Sequence, residues 1–246
     1  MKAGDLHAAW RALPMATPWD ITGGKPFVVI SPHPDDESLG LGGLIAAARA
    51  DGIDVRVVVV SDGAGSHPNS RRVPHDDLVV LRRTETDAAA RALGLAPGSV
   101  THLDLPDTAV PMDGLAFEAA VAHLASVVEA CGAASCFVTW GHDPHCDHEA
   151  ADAMARHLRR HRPALRYWSY PIWGWHLDAA ETVAAPAPKG FRIDIAPWQA
   201  AKHQAIAAHA SQMTALIDDD PEGFRFTDDT LAPFLQPVET VFELSA

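Results

Sequence analysis

The feature that most constrains the fold is a regular alternation of short β-branched runs with longer alanine-rich stretches. Strands are predicted at residues 27–30, 55–60, 100–103, 136–139 and 165–168. Helices are predicted between and after them, at residues 39–50, 77–93, 117–130 and 149–161. This order predicts a Rossmann-like, doubly wound α/β fold with a mostly parallel sheet and helices on both faces.

The C-terminal part of the chain is predicted to complete the same domain. After Tyr170 the alternation is less regular, with strands predicted at 192–195 and 239–244 and a helix at 198–209. A chain of 246 residues without repeats or low-complexity segments fits one α/β core. We therefore expect a single domain over residues 1–246.

Charge and composition limit the partners and the compartment. The chain has 19 basic and 32 acidic side chains, a net charge of −13, which argues against nucleic acid and anionic membranes as partners. It contains neither a signal-peptide core nor a run of eighteen apolar residues, so no membrane insertion is expected. Cys131, Cys136 and Cys146 are too few for a disulfide framework, so we expect a cytoplasmic protein. A homo-oligomer is left open.

A first chemical cluster, His33-Pro34-Asp35-Asp36-Glu37, follows the first predicted strand. Proline and acidic residues are also typical of an ordinary helix start, but that interpretation leaves His33 unexplained. His33 and Asp36 are three residues apart, so a helical turn aims both at one point. They supply two ligands of a zinc site with two histidines and one carboxylate, and leave Asp35 beside the metal as a base.

A second cluster follows the fourth predicted strand, at residues 140–149. In a doubly wound sheet the first and fourth strands usually flank the crevice in which ligands bind. We therefore predict His148 as the third ligand and His145 as a second histidine facing the cavity, with Asp147 able to orient an imidazole. Cys146 is either an alternative ligand or a small buried thiol. The competing interpretation is a solvated polar loop.

These residues resemble the PIG-L/LmbE-like zinc-dependent N-deacetylase family. The matching blocks are His33-Pro34-Asp35-Asp36-Glu37 with Gly42-Gly43, Arg82-x-x-Glu85 with Leu93-Gly94, His145-x-Asp147-His148, and Lys202 to Gln212. Four separated blocks between residues 26 and 213 make the resemblance specific.

The resemblance implies a role for each matched residue. The implied metal ligands are His33, Asp36 and His148, and the implied general base is Asp35. His145, helped by Asp147, would stabilise the oxyanion or protonate the departing amine. Arg82 would lie near the substrate. The metal is usually zinc, and another divalent ion is possible. The chain departs from the family at Cys146, where proline is common, and at Asp143, where some members carry an aromatic residue.

The resemblance implies an N-acetylglucosamine-type sugar or glycoconjugate as substrate. An aromatic stretch at residues 167–176 includes Trp173 and Trp175, which are predicted either to line the sugar cleft or to cover the core. An alternative substrate is a thiol-conjugated cysteinyl-glycoside or another N-acyl natural-product precursor. Two other classes are a metal-stabilised protein without activity and a nucleotide-binding Rossmann module, although no G-x-G-x-x-G follows the first strand.

Overall fold

The computed structural model describes residues 1–244, and its strands form one eight-stranded sheet. The strands are β1 (Met15–Ala16), β2 (Phe27–Ser31), β3 (Val55–Ser61), β4 (Val100–Leu105), β5 (Ser135–Thr139), β6 (Arg166–Tyr170), β7 (Gly190–Asp194) and β8 (Val238–Glu243). Their spatial order is β1-β7-β8-β6-β5-β2-β3-β4, and only β8 runs antiparallel to its neighbours among the described pairs. The predicted mostly parallel sheet is confirmed.

The helices are α1 (Ala3–Arg11), α2 (Pro18–Thr22), α3 (Asp36–Ala50), α4 (His75–Ala92), α5 (Gly114–Cys131), α6 (Cys146–His161), α7 (Gln199–Ala208), α8 (Ala210–Met213) and α9 (Asp228–Leu231). Helices α3 and α6 each begin three residues before the predicted start, inside the chemical clusters. Carboxylates are favourable in the first turn of a helix, because the helix dipole is positive there. Helices α1, α2, α8 and α9 and the two-residue β1 were not predicted from the sequence.

Hydrophobic clusters cover both faces of the sheet. Along β2, Phe27 and Val29 join one cluster and Val28 and Ile30 join the other. Successive side chains of a strand point to opposite faces, so a strand covered on both sides becomes apolar throughout. The predicted placement of helices on both faces is confirmed.

Helix α5 is long and apolar enough to cross a membrane by length and composition, and no other helix within residues 1–244 meets that test. Its Phe117, Val121, Leu124 and Val128 belong to the cluster between the sheet and α6. A packed helix at the surface of an α/β sheet also has this composition.

The sheet topology places the two chemical clusters side by side. Strand β2 pairs in parallel with both β3 and β5, and Ile30 is in register with Val138 near the carboxyl ends. Ligand sites of open α/β sheets lie beyond such ends, where the strand order reverses. The segment from Ser31 to Asp36 and the segment from Thr139 to Cys146 therefore open into one crevice.

Candidate metal centre and catalytic cleft

The three predicted ligands meet in a buried triangle. His33 Nδ1 lies 3.2 Å from Asp36 Oδ2, and His148 Nε2 lies 3.3 Å from each of these two atoms. Tetrahedral coordination with bonds of about 2.0–2.1 Å separates neighbouring ligand atoms by about 3.3–3.4 Å. The triangle thus has the size and the donor set that a zinc ion accepts.

The outer nitrogen of each histidine faces a carboxylate. His33 Nε2 lies 3.1 Å from Asp147 Oδ2 and 3.3 Å from Asp107 Oδ1. His148 Nδ1 lies 2.9 Å from Asp143 Oδ2. A ring N–H that donates to a carboxylate fixes the tautomer and the ring orientation. These contacts therefore aim His33 Nδ1 and His148 Nε2 into the triangle.

The carboxylates around the triangle favour the protonated form of both histidines. Burial opposes this, but hydrogen bonds with Asp107, Asp147 and Asp36 raise the pKa of His33 well above its usual value. Burial likewise opposes protonation of His148, but Asp36 and Asp143 raise its pKa to about 9. A metal ion bound here would take the place of these protons.

The structure corrects the expected partner of Asp147. Its carboxylate contacts the ring of His33, and it also accepts the N–H groups of Thr108 at 2.7 Å and Val110 at 3.1 Å. Only the backbone N–H of Asp147 reaches His145, donating to Nδ1 at 3.2 Å. Asp147 therefore orients His33 instead of His145 and ties it to the loop after β4.

Sequence reasoning missed Asp107 and Asp143 as members of this network. Asp143 is 1% exposed and, besides meeting His148, accepts the N–H groups of Ile172 and Gly174. Asp107 follows β4, whose carboxyl end lies at the same edge as β2. An aspartate shortly after a predicted strand is a signal that could have identified Asp107 from the sequence. The partners of Asp143 are set by tertiary packing and have no such signal.

Asp35 lies beside the triangle in a strained conformation. Its φ of 142° is rare outside glycine, and its side chain is buried. Oδ2 accepts a hydrogen bond from Arg82 Nη2 at 3.1 Å. Burial raises the pKa of Asp35 to about 7, although the Arg82 charge opposes the shift. A carboxyl group of this pKa can accept a proton and return it near neutral pH.

Arg82 is a buried residue of α4 that connects the base to two loops. Besides Asp35, it donates to the carbonyl oxygens of Gly63 and Pro34. It also lines the cleft. Most of its donors are nevertheless used to hold protein groups in place.

His145 stands at the start of α6 and faces the same cleft. A ring nitrogen of each of His33, His145 and His148 lies within 4.8 Å of the others. Burial, followed by the charges of His33 and His148, lowers the pKa of His145 to about 4. Because Nδ1 accepts the Asp147 N–H, the neutral ring carries its proton on Nε2.

The cleft above the triangle has a volume of about 190 Å³ and one aromatic wall. The wall consists of Trp173, Phe224 and Phe226, and Trp173 stacks on Phe226 at 5.6 Å between ring centroids. Its polar lining residues are His33, Asp35, Asp36, Ser66, Arg82, Asp107, Thr108, His145 and Gln212. Of the two predicted aromatic residues, Trp173 therefore lies in the cleft.

Trp175 does not line this cleft. Its ring meets Trp10 of α1 edge to face at 4.8 Å and stacks near His7 at 5.9 Å. The short 3₁₀ turn Trp173–His176 directs the two tryptophans to different surroundings. Trp175 covers the packing of the N-terminal helix, and its predicted place beside the substrate is corrected.

A larger cavity of about 430 Å³ lies elsewhere, and its lining includes residues of α1, α6 and β8. None of the three triangle residues lines it. Size alone would therefore select the wrong site, whereas the converging donors identify the smaller cleft.

A sequence model of one protein family matches residues 28–159, which is more than half of the chain. The family is described as PIG-L, GlcNAc-PI de-N-acetylase. The match includes both chemical clusters and Arg82.

Individual relatives and solved structures agree with this match. Diacetylchitobiose deacetylase of Thermococcus kodakarensis is 34% identical over 87 residues, which are 35% of this chain and 32% of that enzyme. A deacetylase–teicoplanin complex from the teicoplanin biosynthesis pathway has a TM-score of 0.64 at 19% identity, covering 89% of this chain and 97% of the other. The chain thus spans about a third of the curated relative that it matches.

The same fold also occurs in a protein of different activity. The 4-carboxy-2-hydroxymuconate hydratase GalB of Pseudomonas putida has a TM-score of 0.61 at 23% identity, covering 76% of this chain and 80% of that one. Similarity at this level shows the fold alone. The reaction has to be argued from the residues of the cleft.

Proposed function

Because this chain belongs to the PIG-L family of de-N-acetylases, we propose that it is a zinc-dependent hydrolase that removes the acetyl group from an N-acetylglucosamine-type sugar or glycoconjugate. The observation that carries this proposal is the triangle of His33 Nδ1, Asp36 Oδ2 and His148 Nε2, with 3.2–3.3 Å between its atoms. Asp35 and His145 stand beside it in the same cleft.

His33, Asp36 and His148 would hold the zinc ion. A zinc ion held by three such ligands polarises a carbonyl group and lowers the pKa of water to about 7. Asp147 and Asp143 keep the two imidazoles in the orientation that this binding requires.

Asp35 is the general base of the proposed reaction. Arg82 occupies its Oδ2, so Oδ1 is the oxygen that takes the proton of the attacking water. The raised pKa of Asp35 lets the same group return this proton to the departing amine nitrogen.

His145 donates its Nε2–H to the oxyanion that forms at the amide carbonyl. The lowered pKa of this ring keeps it neutral, and the Asp147 N–H at Nδ1 fixes the proton on Nε2. A positioned donor of this kind typically contributes about 10²–10³ in rate.

The substrate class is inferred from the cleft and the relatives together. One wall is aromatic and the others carry hydrogen-bonding groups, which suits a sugar with an apolar ring face and polar edges. The relatives named above include deacetylases whose names refer to diacetylchitobiose and teicoplanin. The cysteinyl-glycoside alternative requires the same chemistry and is separated by substrate screening.

A nucleotide-binding module is a poorer explanation of this edge of the sheet. Phosphates bind at helix N-termini through free N–H groups. Here α3 begins with the buried carboxylates of Asp35, Asp36 and Glu37, which repel a phosphate. Cytoplasmic location remains a prediction from the sequence, which leaves the oligomeric state open.

The test is acetate release from a panel of N-acetyl-hexosamine conjugates, with metal analysis of the same protein. The wild type should release acetate, whereas Asp35→Asn should keep its zinc and lose about 10²–10⁴ in kcat, the usual contribution of a general base. The matched variant Asp36→Asn should lose the zinc as well. Acetate release by Asp35→Asn at the wild-type rate would remove Asp35 from the mechanism, and no release from any conjugate would contradict the proposed function.

A further inference from the structure

Cys146 follows His145, which lines the cleft, and its thiol has no part in the proposed reaction. Cys146 is the first residue of α6 and is exposed, at a position where proline is common in the family that the sequence resembles. Its neighbours are His145 and Asp147. Sγ lies 3.4 Å from the carbonyl oxygen of Thr108 and 3.6 Å from Asp147 Oδ1.

The three consecutive side chains bring three kinds of metal donor together. One ligand atom each from His145, Cys146 and Asp147 lies within 4.8 Å of the other two. Zinc binds sulfur at about 2.3 Å and oxygen at about 2.0–2.2 Å, so tetrahedral coordination separates the two atoms by about 3.5–3.7 Å. The observed 3.6 Å between Sγ and Asp147 Oδ1 fits this separation.

We propose that His145, Cys146 and Asp147 form a second metal site that binds Zn²⁺ and other thiophilic divalent cations and inhibits the enzyme. As the cation binds, the S–H proton of Cys146 passes to solvent and a bond forms between Sγ and the metal. The inhibitory consequence rests on the proposed function, whereas the binding of the ion does not.

The two sites use different donor atoms. The triangle consists of His33 Nδ1, Asp36 Oδ2 and His148 Nε2, and none of these belongs to the second site. Both ions can therefore be bound together, and the second ion need not displace the first.

Occupation of the second site withdraws groups that the reaction needs. Binding of the ion through His145 Nε2 moves the ring proton to Nδ1, which then gives up the Asp147 N–H, so Nε2 has no proton left to donate to the oxyanion. Asp147 is drawn away from Val110, whose N–H now donates to Oδ1 at 3.1 Å. Turnover should therefore fall while the first metal stays bound.

The test begins with spectroscopy, because only the second site contains sulfur. Metal-free protein is titrated with Co²⁺, whose bond to a thiolate produces a charge-transfer absorption in the near ultraviolet. The wild type should develop this absorption with the second equivalent. Cys146→Ser and Cys146→Pro should bind the first equivalent normally and lack the absorption. Cys131→Ser, a matched removal of another thiol, should keep it.

Zinc inhibition is then measured in the same proteins. The wild type should be inhibited by excess Zn²⁺. Because loss of even a supporting contact lowers metal affinity by about 10–100-fold, both Cys146 variants should require at least about tenfold more zinc. Proline is favourable at the first position of a helix, so Cys146→Pro removes the thiol without disturbing α6. A loss of zinc inhibition in this variant is therefore not caused by misfolding.

Two results would overturn the proposal: no sulfur-to-cobalt absorption in the wild type, or equal zinc inhibition in the wild type and both Cys146 variants. If no conjugate releases acetate, the proposed function fails, but the cobalt titration still decides whether this site exists.

Discussion

Asp35 concentrates several unfavourable features in one residue. Its backbone φ of 142° costs about 1–3 kcal/mol for a non-glycine residue, and its carboxyl group is buried. The conformation is held because the Asp35 carbonyl accepts the N–H groups of Ser38 and Leu39, each at 2.9 Å, while Arg82 holds the side chain. Strain of this kind persists where it places a reactive group.

Asp143 is predicted to set the metal affinity through His148. Asp143→Asn removes the charge that faces His148 Nδ1 but keeps a similar shape for the N–H groups of Ile172 and Gly174. Loss of such a supporting carboxylate should weaken zinc binding by about 10–100-fold. Competition with a chelator measures the change, and Asp152→Asn on α6 serves as the control. Wild-type affinity in Asp143→Asn would show that this carboxylate does not support the metal centre.

Metal binding is predicted to depend on pH through the ligand histidines. The pKa of His148 is about 9 and that of His33 is raised in the metal-free protein, so both rings carry protons at neutral pH. Each ring has to release its proton to bind the ion. Zinc affinity, corrected for metal hydrolysis, should therefore rise with pH through neutrality. An affinity independent of pH between about 6 and 8 would contradict the assigned protonation states.

At the scale of elements, the glycines of α3 serve close packing. A Cβ at Gly43 would lie 2.5 Å from Ile195 Cβ, and one at Gly40 would lie 2.2 Å from the Tyr170 ring. The helix can therefore approach the sheet closely and hold Asp36 over the end of β2. This packing explains glycines that also suggested a nucleotide-binding loop.

Gly43→Ala should destabilise the protein because the new methyl group meets a rigid side chain. Overpacking of this kind typically costs about 1–3 kcal/mol in the free energy of unfolding. At Gly42 the nearest atom is Lys202 Cγ at 3.0 Å, a longer contact than the one at Gly43, so Gly42→Ala in the same helix is the matched control with a smaller loss. Urea denaturation of the metal-free proteins measures both. A Gly43→Ala protein as stable as the wild type would refute the close-packing argument.

The sequence predicted the elements whose signals are local. Apolar runs located β2, β3 and β5, and the rule for strand ends placed His33, Asp36 and His148 together. The starts of α3 and α6 were missed because their first turns carry polar ligands in place of periodic apolar residues.

Features set by tertiary contacts escaped prediction. The contacts of Trp10 in helix α1 with Trp140, Trp175 and Phe242 join distant parts of the chain and could not be read from the sequence. The same contacts explain why Trp175 was placed wrongly. Phe224 and Phe226 were missed because their segment has no regular pattern, although backbone hydrogen bonds to Ser66 and Gln212 bring it to the cleft.

At the scale of the molecule, the metal centre joins the starts of two helices that are distant in sequence. Asp36 begins α3 and His148 lies in the first turn of α6, so one ion would bridge the β2 and β5 crossovers. Glu239 ties the C-terminal part of the chain to α3. It forms a buried ion pair with Lys202 and also accepts the N–H groups of Gly43 and Leu44 in α3.

Zinc should therefore raise the thermal stability of the whole protein. An ion that binds only the folded state, at about a hundred times its Kd, adds about 2.7 kcal/mol, or about 5–10 °C in Tm for a chain of this size. The Tm of the wild type should fall on chelation and recover with zinc. His148→Ala should show no such recovery, and an equal zinc response in His148→Ala would place the stabilising ion elsewhere.

The most direct test of the central claim is a crystal structure of the zinc-loaded protein with anomalous data collected at the zinc edge. At one equivalent of zinc, we predict a single strong peak bonded to His33 Nδ1, Asp36 Oδ2 and His148 Nε2 at about 2.0–2.2 Å. A peak at other residues, or these three side chains turned away from one another, would contradict the account.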